Sequence, residues 1–114
     1  MLAAGKLRWF QLHRPEAYAR IANVLTLADW LAWKLTGELA RERTLAAESG
    51  LLNIWSRGPL ADLYQHLGLH HDTPMLVTAS DIIGETSTES AAQSGLDMGT
   101  PVVAAGADTQ AGLI

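Results

Sequence analysis

Apolar residues recur along this chain at two spacings, and the changes from one to the other divide it into helices and strands. Leu7, Phe10 and Leu12 among polar neighbours predict a helix over residues 2–13. It should stop at Arg14, because the residue before a proline disfavours helical geometry. Pro15 suits the first position of a second short helix through Tyr18 and Ile21, since its missing N–H would go unpaired there anyway. Val24-Leu25-Thr26 reads as a short strand. Leu27, Trp30, Leu31 and Leu35 then fall at helical spacing, with Asp29 near the start and Lys34 near the end, as the macrodipole favours. Gly37 closes that helix as a left-handed cap. Core packing is the default for Trp30 on this stripe, while Trp33 points elsewhere.

The stretch 38–53 mixes charge with short apolar runs and predicts one turn of helix. A clearer helix begins at Pro59, carries Leu60, Leu63, Tyr64 and Leu67 on one stripe, and ends at Gly68-Leu69 in the manner of a Schellman motif. After Pro74 a loop leads to a short strand over 81–84. Thr86 and Glu89 have the spacing of a capping box for a helix over 87–94. Gly95-Leu96 end it, and Asp97-Met98-Gly99-Thr100 form a turn.

The last fourteen residues carry the chemistry. Pro101 to Ala105 are small or β-branched and apolar, which predicts a strand covered on both faces. Gly106-Ala107 leave room for close approach to Asp108, which sits where strand gives way to helix. The sequence runs only about a turn and a half into that helix, and such a helix is marginal by itself. The expectation is a piece of a larger α/β protein.

Composition narrows the class. The 114 residues are 48% hydrophobic and 18% charged, a globular balance with room for a modest core. The formal charge is −4 and all eight Lys and Arg lie within the first 57 residues, which argues against nucleic-acid binding. Cysteine is absent, so neither disulfides nor thiolate metal sites hold the fold, in keeping with a cytoplasmic setting. No run reaches the roughly 18 apolar residues of a membrane helix. The expectation is a soluble protein without nucleic-acid or membrane partners.

Asp108 has two compatible roles. In open α/β sheets ligands bind beyond the carboxyl ends of strands, where a carboxylate can take the proton of a hydroxyl attacking a phosphoryl group. Spacing alone favours the plainer role, a helix cap accepting a backbone N–H. Thr109 and Gln110 follow in the first turn, where a hydroxyl and an amide can bond a polyol or simply face water. The G-x-G-x-x-G spacing of dinucleotide sites is absent. His66, His70 and His71 lie on either side of a helix-ending glycine and are assigned to the solvated surface, not to a metal. Glu42 and Glu48 have the look of an acid–base pair, but in so polar a segment solvation is the expected fate of both.

Taken in order, Asp29-Trp30-Leu31, Leu35-Thr36-Gly37-Glu38, Gly95-Leu96, Gly99-Thr100-Pro101-Val102-Val103 and Gly106-Ala107-Asp108-Thr109-Gln110-Ala111 resemble the FGGY carbohydrate kinases. That family includes kinases of xylulose, gluconate and glycerol. The likeness runs from about Lys6 onward and implies a partial ribonuclease-H-like (actin-like ATPase) α/β domain, the second half of the family's N-terminal domain. It also implies ATP- and Mg²⁺-dependent phosphorylation of a sugar or polyol hydroxyl, with Asp108 as general base and Thr109 and Gln110 touching substrate. The Gly-rich phosphate hairpin and the C-terminal nucleotide domain of the family have no counterpart in these residues, so the piece alone should be inactive and prone to self-association. Many relatives carry Thr-Asp-x-Ser after the Leu-Thr-Gly element, whereas this chain has Arg41-Glu42-Arg43-Thr44, which leaves the sugar open. Two alternatives stand beside the sugar kinase: a noncatalytic actin-like binding module with Asp108 as a cap, and a kinase of a noncarbohydrate hydroxyl compound.

Overall fold

The computed structural model describes residues 2–56, 58, 60–69, 74–108 and 112. The chain forms two compact units, one of residues 1–24 and 46–73, the other of residues 25–45 and 74–114.

The first unit contains α1 (Ala3–His13) and α2 (Pro15–Tyr18). Arg14 ends α1 with its amide on the Phe10 carbonyl, and Pro15 opens α2 at its first turn, both as the proline dictates. The α2 helix is shorter than its sequence pattern, and Ile21 lies beyond it. In the second unit, α3 spans Leu27–Thr36 and β1 spans Ala40–Glu42; α4 (Arg43–Glu48) follows directly, and its residues 46–48 belong to the first unit. The remaining helix of the first unit is α5 (Ala61–His66). Its end is the anticipated Schellman motif: Gly68 has φ +61°, the Leu69 amide reaches the Tyr64 carbonyl at 2.8 Å, and the Gly68 amide reaches Gln65 at 3.0 Å. Pro59, its expected first residue, lies outside the described residues. Leu7, Ala46, Leu51, Leu52, Tyr64 and Leu69 are the buried apolar positions of this unit.

The second unit carries the sheets. Strand β2 (Met75–Val77) lies parallel to β1 in the register Ala40 to Met75 and Glu42 to Val77. Strand β3 (Ile82–Glu85) pairs antiparallel with β4 (Pro101–Val103), with an irregularity between Ile82 and Gly84. Between them α6 (Thr88–Ser94) ends at Gly95 in left-handed geometry. Ala40, Val77 and Ala104 form a small core onto which Ile83 packs.

Six expectations are corrected. Val24-Leu25-Thr26 is no strand, because Thr26 is the N-cap of α3 and forms a full capping box with Asp29. The inward face of α3 is Asp29 and Ala32, while Leu27, Trp30 and Leu31 are exposed, so the polar cap rather than the apolar stripe sets how the helix sits. Residues 38–53 hold a strand as well as a helix, since pairing with β2 overrides the local pattern. The stretch after Pro74 is likewise strand β2. Ser87, not Thr86, caps α6 by accepting the Ser90 amide, and the Thr86 hydroxyl instead donates to the Asp97 carbonyl and accepts the Thr100 amide. Finally, β4 is three residues long and exposed at Pro101 and Val103, since among the described residues it pairs with β3 alone.

Among the described residues no helix is long and apolar enough to cross a membrane.

Candidate acceptor site at the end of the last strand

Strand β4 delivers the chain to Asp108 through four residues of defined geometry. The Ala104 amide donates to the Asp81 carbonyl at 2.9 Å and its carbonyl accepts the Ser80 amide at 2.8 Å, which clamps the 78–81 turn against the strand's end. That turn is held by the Asp81 carboxylate, which accepts the Thr78 amide at 2.7 Å, and it forces Ser80 to φ +80°. A serine in left-handed geometry is strained, and such strain collects where a turn is fixed by its surroundings.

Gly106 also has φ +80°. A Cβ there would lie in ordinary contact, 3.4 Å from the Thr44 hydroxyl and 3.9 Å from the Glu42 carboxyl carbon, so it is the left-handed backbone that calls for glycine. Ala107 is fully buried, and its amide donates to Thr44 Oγ1 at 3.1 Å. The next residue, Asp108, is exposed and opens a helical turn, its carbonyl accepting the Gly112 amide at 2.9 Å. The junction thus fixes the backbone immediately before Asp108, itself an exposed residue. Thr109 and Gln110, the other two candidate substrate residues, lie outside the described residues.

Behind the junction is a buried carboxylate that contradicts expectation. Glu42 is not solvated but only 3% exposed. Its Oε2 accepts the Thr44 hydroxyl at 2.5 Å, the Thr44 amide at 2.8 Å and the Leu45 amide at 3.0 Å. These bonds satisfy donors that the start of α4 would otherwise leave unpaired, and they explain the burial. Burial by itself pushes the Glu42 carboxyl up. The Thr44 hydroxyl and the backbone N–H groups of Leu45, Thr44 and Arg43 outweigh it and hold the group below its ordinary value. Glu48 is exposed, so the two glutamates are not a matched pair.

A cavity of about 190 Å³ lies between α3 and the β3–β4 pair, lined by Ala28, Ala32, Leu35, Ile83, Val102 and Ala105 among others. Its mostly apolar walls offer few hydrogen-bonding groups. Among the described residues no cluster of three or more His, Cys, Asp or Glu could hold a metal. His66 is exposed as expected, and His70 and His71 lie outside the described residues. Among the described residues the donors at the junction do not make a set for Mg²⁺.

The helices and short paired strands place the chain in the class of partial α/β domains of actin-like fold. The chain belongs to the FGGY family of carbohydrate kinases, whose N-terminal domain matches residues 1–114. It is 39% identical over 114 residues to an autoinducer-2 kinase of Enterobacter sp. (strain 638), covering 98% of this chain and 21% of that protein. Among solved structures it is similar to a xylulose kinase from Rhodospirillum rubrum, with TM-score 0.82 and 32% identity over 93% of this chain and 22% of that one. A glycerol kinase from Plasmodium falciparum, with TM-score 0.79 and 18% identity over 94% of this chain and 22% of that one, shares the fold. The chain therefore spans about a fifth of the length of these relatives.

Proposed function

We propose that this chain is the second half of the N-terminal domain of an ATP-dependent kinase of small polyhydroxy compounds, and that it supplies the acceptor side of the reaction. The observation that carries the reading is the junction itself: Asp108 is exposed directly after Ala107, which is fully buried and tied to Thr44. A carboxylate held this way can accept the proton of a substrate hydroxyl as that oxygen bonds to the terminal phosphorus of ATP and ADP departs. Phosphoryl transfer asks chiefly for positioning and charge neutralisation, and Mg²⁺ would supply the latter from outside the residues described. Thr109 and Gln110 are assigned to the acceptor's other hydroxyls. A cysteine-free chain using ATP fits the reducing cytoplasm.

Two acceptors compete. Family membership favours a sugar or polyol. The second reading, autoinducer-2, is favoured by 39% identity to an autoinducer-2 kinase against 32% to a xylulose kinase. Purified intact protein assayed with ATP against pentuloses, gluconate, glycerol and autoinducer-2 separates the two. The substitution Asp108→Asn keeps the shape and should cost about 10²-fold or more in turnover. Turnover within a few-fold of the parent would remove Asp108 as the base and leave it a helix cap.

A further inference from the structure

We infer that Thr44 is a positioning residue for Asp108, set in place by the buried Glu42 carboxylate; the inference rests on the reading of Asp108 as the base. The Thr44 hydroxyl has one proton, and the 2.5 Å bond to Glu42 Oε2 commits it. Its lone pairs are thereby turned toward the Ala107 amide, which it accepts at 3.1 Å from 63 residues away in sequence. Glu42 cannot swing aside, because the same oxygen also holds the Thr44 and Leu45 amides. The result is a short chain of bonds, Glu42 to Thr44 to Ala107, ending one residue before Asp108. Gly106 makes the approach possible through its φ of +80°, a backbone conformation that a residue with a Cβ rarely adopts.

The other bonds at the junction hold Ala104, three residues further back. The Thr44 bond holds the residue that adjoins Asp108, so its loss should let Asp108 shift without unfolding the domain. A misplacement of about 1 Å in a catalytic group can cost on the order of 10²-fold in rate.

The test compares Thr44→Val, which keeps the shape and loses the hydroxyl, with Thr44→Ser, which keeps the hydroxyl, and with Asp108→Asn. All are made in the intact protein, with kcat, both KM values and the melting temperature measured. Thr44→Val should lower kcat about 10-fold or more while KM for ATP and acceptor stays within about twofold, and Thr44→Ser should recover most of the rate. If Thr44→Val does not fold, Gly106→Ala strains the left-handed backbone that brings the Ala107 amide to Thr44 and should show the same split between kcat and KM. An unchanged kcat in Thr44→Val or in Gly106→Ala, or a Thr44→Ser rate no better than Thr44→Val, overturns the inference while an inactive Asp108→Asn leaves the base reading standing. An active Asp108→Asn overturns both.

Discussion

Asp29 and Glu42 meet at the start of α3: the Glu42 amide donates to Asp29 Oδ1 at 3.3 Å, and the other Asp29 oxygen accepts the Thr26 amide at 3.1 Å. One buried carboxylate thus starts α3 and fixes the end of β1, the strand that carries Glu42 into place. Asp29→Ala removes a cap and strands a buried N–H, which together should cost about 2–3 kcal/mol. Asp29→Asn keeps one acceptor oxygen and should cost less. Denaturant midpoints of the two variants measure this, and a midpoint for Asp29→Ala equal to the parent's would contradict the shared role.

Glu42 makes stability depend on acid. Its folded-state carboxyl titrates below the ordinary value of 4.5, so the unfolded chain binds the proton more readily than the folded one. The stabilisation is therefore fully present above pH 4.5 and is lost as pH falls through the depressed folded value. Glu42→Gln cannot titrate, and its stability should fall less steeply below pH 4.5. Midpoints followed from pH 7 to pH 3 test this; parallel curves for parent and variant would show that Glu42 contributes nothing to the acid limb.

Ser90 joins α6 to the end of α3. Its hydroxyl donates to the Leu35 carbonyl at 2.6 Å, and its amide is the one capped by Ser87. Ser90→Ala should lower stability by about 1 kcal/mol through the lost hydroxyl bond, and Ser87→Ala by about 1 kcal/mol through the lost cap. Because the two side chains touch at 3.2 Å, the double variant should depart from the sum. Strict additivity would mean that the pair does not act as a unit.

The elements that could be read from sequence are those whose cause is local. Gly37, Gly68-Leu69 and Gly95 end helices where glycine alone relieves the left-handed geometry, and Pro15 starts one where its missing N–H does no harm. Strand β1 was not legible, because Ala40-Arg41-Glu42 has no alternation and all three residues are buried by distant neighbours. The α3 stripe misled for a related reason: Leu27, Trp30 and Leu31 keep helical spacing, yet the inward position goes to Asp29, whose partners Thr26 and Glu42 hold it there. At the candidate site, the place of Asp108 just after the last strand was legible from its junction. The Thr44 tether was not, since no local pattern couples residues 63 apart. Its one signal was the polar Glu42-x-Thr44 spacing at the start of a helix, which capping chemistry explains once the strand before it is known.

Two glycines that look alike in sequence should respond to alanine with opposite signs. Gly84 lies in β3, where an added Cβ would stand 3.1 Å from Thr36 Cβ and 3.3 Å from its methyl. Thr36 is not free to yield, because its hydroxyl donates to the Ala32 carbonyl at 2.8 Å and accepts the Glu38 amide at 3.0 Å. The strand itself must shift, so Gly84→Ala should cost about 1–2 kcal/mol by overpacking. Gly5 sits inside α1 with nothing within 4 Å of its built Cβ. There alanine lowers the entropy of the unfolded chain without any clash, and Gly5→Ala should stabilise by about 0.5–1 kcal/mol. Thermal or denaturant unfolding of the two variants reads both effects. Equal shifts of the same sign would show that the close approach of β3 to the end of α3 is not maintained in solution.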